Sequence, residues 1–160
     1  MKELTHTCHY KLCDYSELTE QDRRLVDAAK QATKQSYAPY SHFHVGAAAL
    51  LNDGTVVTGT NQENAAYPSG LCAERTTLFY AGAAYPDKPV VALAIAAYTE
   101  GAFTQTPISP CGACRQVMLE TEKRHHYPIR ILLYGTEGTY LIEGGTTELL
   151  PLTFDASFLK

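Results

Sequence analysis

Apolar positions along the chain change period several times, and each change marks an element. From Leu18, the stretch LTEQDRRLVDAAKQATKQS places Leu25, Val26, Ala29 and Ala32 at helical spacing, with Thr19 ahead of them as N-cap and Glu20 and Asp22 in the first turn. This predicts a helix over residues 19–36, ended by Pro39. HVGAAALLNDGTVVTGTN then carries two apolar, partly β-branched runs on either side of Asn52-Asp53-Gly54, a hairpin signal that predicts strands at 44–51 and 54–60. After a loop with Pro68, Ser69 and Gly70, CAERTTLFYAGAAY sets Leu71, Leu78, Phe79 and Gly82 on one helical face, which predicts a helix near 72–84. KPVVALAIAAYTE is a continuous apolar run of the buried-strand type, over 90–98. SPCGACRQVMLETEK predicts a helix near 110–124, with Ser109 as N-cap and Pro110 at the first helical position. IRILLYGTEGTYLIEGG reads as two short strands and TTELLPLTF as a brief terminal helix and tail. Strands alternating with helices predict an α/β sandwich with one mixed sheet, to which the first 18 residues add an edge strand.

Composition narrows this. The chain has 160 residues, 45% hydrophobic and 19% charged, which suits one domain with a core of its own and excludes a disordered, collagen-like or coiled-coil chain. Lys and Arg total 13 against 17 Asp and Glu, a net charge of −4 that argues against a nucleic-acid or anionic-membrane partner. The His-rich, polar start MKELTHTCHYKLCDYSE offers no signal-peptide core, and the chain holds no run long enough to span a bilayer, so a cytoplasmic setting is expected. In that reducing setting five cysteines are read as structural, reactive or metal-bound thiols, not disulfides.

Cys111 and Cys114 are three apart at a predicted helix start, so their side chains leave the first turn in one direction. That pair alone leaves a redox dithiol, half of a structural zinc finger and two core cysteines open. Cys72 begins a second predicted helix and is followed two residues later by Glu74. Three thiolates leave zinc one open position, as in a catalytic site, whereas a structural site fills all four with protein. They also bring the metal's net charge to about −1, which weakens Lewis acidity unless helix N-termini or a cation offset it. Cys8 and Cys13, with His6 and His9 nearby, match no usual zinc spacing and are read as ordinary.

CAE at 72–74 followed by PCGAC at 110–114 resembles the signature of the zinc-dependent cytidine and deoxycytidylate deaminases. YAPYSHFHVGAAAL at 37–50, TNQENAAY at 60–67, CAERTTL at 72–78 and SPCGACRQV at 109–117 are similar to the small homotetrameric cytidine deaminases, in the same order. The resemblance covers residues 19–155, leaving 1–18 as an extension and 156–160 as a tail. It implies a three-layer α/β/α sandwich with a roughly five-stranded sheet, one Zn²⁺ per subunit held by Cys72, Cys111 and Cys114, and Glu74 as the proton shuttle. It further implies that Arg75 hydrogen-bonds a zinc thiolate. No carboxylate stands four residues either side of Arg75, where Leu71 and Phe79 sit, to pair with it along the helix.

For the substrate, the resemblance implies that Phe43 packs on a cytosine ring and that Asn61 and Glu63 bind the ribose 3′-hydroxyl. Glu63 in that role would repel a 3′-phosphodiester and favour a free nucleoside. Tyr67 and Phe154 would complete the pocket from neighbouring subunits of a homotetramer. Gln62 departs from the pattern, in which an apolar residue stands between Asn and Glu. Lys123, Arg124, His125 and His126 are explained by the helix dipole. The expected activity is hydrolytic deamination of cytidine and 2′-deoxycytidine. A blasticidin S deaminase, a non-catalytic zinc or nucleoside-binding module and a thiol redox protein are the competing readings.

Overall fold

Thr19 starts the first helix by accepting the Asp22 backbone N–H at 3.1 Å, and the chain then winds through α1 (Glu20–Ala32) in the computed structural model, which describes residues 1–159. A 3-10 turn at Thr33–Gln35 tightens its end. Then follow β2 (His44–Leu51), β3 (Val56–Thr60), α2 (Ala73–Ala84), β4 (Val90–Thr99), β5 (Ala102–Phe103), α3 (Gly112–His125), β6 (Arg130–Gly135) and β7 (Gly138–Ile142), with β1 (Lys11–Cys13) ahead of α1. One mixed sheet runs β1-β7-β6-β4-β2-β3, with β5 paired to β4. Only β4 and β6 are parallel, and α3 is the crossover between them.

The sheet is buried on both faces, which is why β2 and β4 read as continuous apolar runs. On one face Leu25, Val26 and Ala29 of α1 pack on Ala48, Leu50, Ala92, Ala94, Ala96 and Leu132. On the other, Ala73, Leu78 and Ala81 of α2 and Met118 of α3 pack on Ala47, Ala49, Leu93, Ile95, Ile131 and Leu133. The result is three layers, α/β/α. Alanines along β2 and β4 let the helices approach closely, and two glycines complete the fit. A Cβ on Gly46 would lie 2.1 Å from the Ala29 carbonyl oxygen, and one on Gly59 would lie 2.4 Å from Thr77 Oγ1 in α2.

The sheet has seven strands, not five. The additional two are short and carry little pattern. β1 is the tripeptide Lys-Leu-Cys, paired antiparallel to β7 from Lys11↔Leu141 to Cys13↔Thr139. β5 returns on β4 through Glu100 and Gly101, at φ 51° and 83°, a turn whose first residue is not the Asn or Asp that usually announces it. The N-terminal segment is stitched down further by the Tyr10–Tyr140 ring pair, Lys11–Glu143 at 2.5 Å and the Tyr15 hydroxyl on Asp27 at 2.6 Å. The third helix starts later than its Ser109-Pro110 signal indicates: both residues lie outside any helix or strand and Cys111 takes the N-cap position. The expected terminal helix is reduced to 3-10 turns at Thr146–Glu148 and Ala156–Leu159. No helix among the described residues is long and apolar enough to cross a membrane.

Candidate metal centre

Two helix starts face one another across the α2–α3 layer, and each has cysteine where a capping residue belongs. Cys72 and Cys111 are the N-caps of α2 and α3, with extended backbone (φ −72°, ψ 156° and φ −68°, ψ 166°), and neither side chain caps its own helix. Serine or aspartate there would bond its own N–H groups. A thiol does so weakly, which leaves the sulfur free to project beyond the helix end. Cys114, at the third helical position of α3, turns back to the same point. Cys72 Sγ lies 3.8 Å from Cys111 Sγ, Cys111 Sγ lies 3.5 Å from Cys114 Sγ, and all three fall within 4.8 Å of one another. Zn–S bonds of about 2.3 Å at tetrahedral angles put sulfurs about 3.8 Å apart, so the spacing fits Zn²⁺ with one position free of protein. Among the described residues this is the one group of His, Cys, Asp or Glu that converges in this way.

The surroundings favour negative charge at Cys72. Its thiol is pulled down to about 5, first by the hydrogen bond from Cys114 and then by Arg75, whose Nη2 donates to Cys72 Sγ at 3.6 Å. Cys114 is pushed far up because it donates to Cys72 and is buried. Glu74, second residue of α2, is 4% exposed, and burial raises its carboxyl above the ordinary glutamate range. Glu74 stands in the first turn of the helix that Cys72 begins, so an acid–base group adjoins the sulfurs.

Cys72 and Arg75 also line an open groove of about 510 Å³ whose other walls include Tyr40, Ser41, Asn61, Glu63 and Tyr67. Glu63 is aimed by three donors, the Tyr40 N–H at 2.9 Å, the Ser41 N–H at 3.3 Å and the Ser41 hydroxyl, which hold its carboxyl below the usual range. Asn61 clamps the strand: its Oδ1 accepts from the Val45 N–H and its Nδ2 donates to the Phe43 carbonyl, both at 2.8 Å, leaving one amide hydrogen for a ligand. Gln62, at the position where the pattern departs, pairs its backbone with Leu71 at 2.8 and 2.9 Å and so carries the loop across to Cys72. The structure thus brings Asn61, Glu63, Tyr67, Cys72 and Arg75 together. Phe43 packs on the α2–α3 side of the core outside the groove lining. Phe154 lies on the C-terminal segment, 57% exposed and stacked on Phe158 at 5.7 Å, and is not a groove residue within its own chain.

Two neighbours of the site escaped the sequence reading. Ser41 accepts the Phe43 N–H at 3.1 Å while donating to Glu63, and its signal was only its place between Tyr40 and Phe43. Arg115 follows Cys114 directly and bonds the loop that leads into Cys111, as Nε to the Pro110 carbonyl at 2.8 Å. A cation four residues past a cysteine N-cap was the available clue. Cys8 is exposed and Cys13 lies in β1, both outside the sulfur cluster.

A three-thiol centre with one free position and a buried carboxyl beside it is built for metal-assisted proton transfer. Comparison with known proteins agrees. The sequence profile of the cytidine and deoxycytidylate deaminase zinc-binding region matches residues 19–127. The chain is 50% identical over 98 residues to a cytidine deaminase of Halalkalibacterium halodurans, covering 60% of this chain and 68% of that protein. It is 50% identical over 97 residues to one of Sporosarcina psychrophila, covering 61% and 67%. The crystal structure of cytidine deaminase from Burkholderia pseudomallei superposes with a TM-score of 0.71 at 41% identity, over 86% of this chain and 100% of that one. That from Mycobacterium tuberculosis gives 0.65 at 34% identity, over 86% and 98%. The chain belongs to the cytidine and deoxycytidylate deaminase family, and Zn²⁺ is its cofactor.

Proposed function

We propose that the protein hydrolyses cytidine and 2′-deoxycytidine to uridine and 2′-deoxyuridine with release of ammonia. The observation that carries this reading is the opening of the sulfur cluster onto a groove lined by Glu63, Asn61 and aromatic rings. Arg75 is the one cation of that lining and it is engaged with Cys72, so the groove offers no free cation to a phosphate. An uncharged nucleoside suits it, with its 3′-hydroxyl donating to Glu63 and the remaining hydrogen of Asn61 Nδ2 directed at the sugar. The base then points toward Cys72 and Glu74.

Cys72, Cys111 and Cys114 would hold Zn²⁺, which would supply Lewis-acid activation of the water that the reaction consumes. Glu74 accepts a proton from that water as its oxygen bonds to C4 of the ring, and delivers the proton to N3. It then takes the remaining proton of the new C4 hydroxyl and passes it to the amino nitrogen, so that the C4–O bond becomes a carbonyl as the C4–N bond breaks and ammonia leaves. A carboxyl raised by burial suits both directions of transfer. Arg75 offsets charge on the thiolates, which keeps the centre electrophilic. Tyr67, 78% exposed, and Phe154 complete the pocket across a homotetramer, and free thiols of this kind belong in a reducing cytoplasm. Residues 19–155 form the deaminase unit, with 1–18 as an added extension.

An ultraviolet assay of zinc-assayed protein on cytidine, deoxycytidine, dCMP, adenosine and blasticidin S tests the assignment. Turnover of the first two with ammonia released is the expected outcome. No turnover of either would overturn it, and turnover of blasticidin S alone would favour that rival substrate. Glu74→Gln should keep zinc and bind ligand while kcat falls by roughly 10²–10⁴-fold. Wild-type protein that binds cytidine without releasing ammonia would indicate a binding module.

A further inference from the structure

Arg115 is a partly buried cation with no carboxylate in salt-bridge distance among the described residues. Its guanidinium donates in three directions instead: Nε to the Pro110 carbonyl at 2.8 Å, Nη2 to the Ser109 hydroxyl at 2.9 Å and Nη1 to the Leu149 carbonyl at 2.7 Å. A planar, permanently charged fork is the side chain suited to gathering three acceptors at once. None of these acceptors is a thiol, so its role differs from that of Arg75.

The segment it gathers needs such support. From Thr106 to Pro110 the chain belongs to no helix or strand and makes no backbone–backbone hydrogen bond among the described residues. Pro107 and Pro110 have no N–H to offer. Cys111 stands at the end of this segment and is exposed, so neither a strand ladder nor core packing fixes its sulfur. The Leu149 contact reaches the other way, into the C-terminal segment. Gln116, the next residue of α3, donates Nε2 to the Phe154 carbonyl at 2.9 Å. Two consecutive residues after Cys114 therefore anchor the C-terminal segment at Leu149 and at Phe154.

We infer that Arg115 is a positioning residue for the metal centre: it fixes the Ser109-Pro110 approach to Cys111, keeps that sulfur with Cys72 and Cys114, and ties the approach to the C-terminal segment through Leu149. The inference rests on the three thiols holding zinc and is independent of which substrate is turned over. Loss of the fork lets Cys111 move away from the cluster, which accelerates release of the metal before it unfolds the protein.

Zinc release from the loaded protein to a chromophoric chelator measures this directly, alongside thermal unfolding. Arg115→Met should release zinc about 10-fold faster or more, the range for lost supporting contacts at a metal site. Arg115→Lys keeps the charge but cannot span the three acceptors, so it should also release zinc faster; it decides the matter if Arg115→Met does not fold. Glu122→Gln is the control. Glu122 Oε1 accepts the Ile129 and Thr146 N–H groups at 2.9 and 2.8 Å, so this change loosens the C-terminal turn without touching the metal loop. Release at the wild-type rate in the folded Arg115 variants would overturn the inference. So would equal acceleration in Glu122→Gln, since general loosening would then account for the effect. Because zinc is read without substrate, an inactive wild-type protein would count against the proposed activity and leave this result standing.

Discussion

Glu63 shows how one side chain can be prepared for a ligand by the backbone around it. It is only half-buried, yet the Ser41 hydroxyl and the N–H groups of Tyr40 and Ser41 already converge on its carboxylate. Those donors favour the ionised form and lower its pKa from the ordinary 4.5. The sign follows from linkage: a depressed carboxyl contributes to stability above its unfolded pKa, and the contribution disappears as pH falls through the lower folded value. Carboxyl ¹³C NMR should therefore place the Glu63 midpoint below 4.5 in the wild type and move it upward in Ser41→Ala. An unmoved midpoint in the variant would remove Ser41 from this role. Residue identity made Glu63 legible from the TNQENAAY motif, but the three donors were not, because they come from a loop 22 and 23 residues away in sequence.

At the scale of elements, the positions of α2 and α3 set the geometry of the site, since each contributes an N-cap cysteine. α2 lies against β3 at Gly59, where an added Cβ would meet Thr77 Oγ1 at 2.4 Å, Thr76 Oγ1 at 2.7 Å and the Thr77 backbone nitrogen at 2.7 Å. Gly59→Ala must push the first turns of α2 away from the sheet, and with them Cys72 and Glu74. Overpacking of this kind costs about 1–3 kcal/mol. The expected result is a Tm lower by roughly 3–10 °C together with faster zinc release. A variant with wild-type values of both would show that α2 has slack at this contact. The helices themselves were legible because their periodicity is local. The start of α3 was not, since Ser109 and Pro110 carry a sound helix signal that loses to the bonds Arg115 makes with them. Strand β5 was hidden for a related reason: Glu100 is a poor herald of a positive φ, and the short return is held by the pairing of Phe103 with Tyr98.

Across the whole molecule, the N-terminal extension closes one edge of the sheet. Without β1, strand β7 presents unpaired backbone groups, a template for association. Deletion of residues 1–13 should leave kcat unchanged, lower Tm by roughly 3–8 °C on a loss of about 1–2 kcal/mol, and promote aggregation on heating. Unchanged thermal behaviour would mean that this strand is ornamental to stability. The layered architecture was legible from alternating periods, and the sulfur cluster from Cys72, Cys111 and Cys114. The placement of Phe43 and Phe154 outside the groove was not, because a pattern names an aromatic residue without saying which surface it meets.

The alanine-lined centre of the sheet carries a consequence for how this protein tolerates change. Ala47, Ala48, Ala49, Ala92, Ala94, Ala96 and Ala97 are all fully buried. A larger side chain in a core can be trimmed and leave a cavity, but alanine can hardly be shortened, so drift at these positions runs almost entirely toward added volume. Each added methylene forces a helix outward, and two of those helices begin with a zinc thiol. Tolerance here is one-sided, and its limit is the distance between sulfurs.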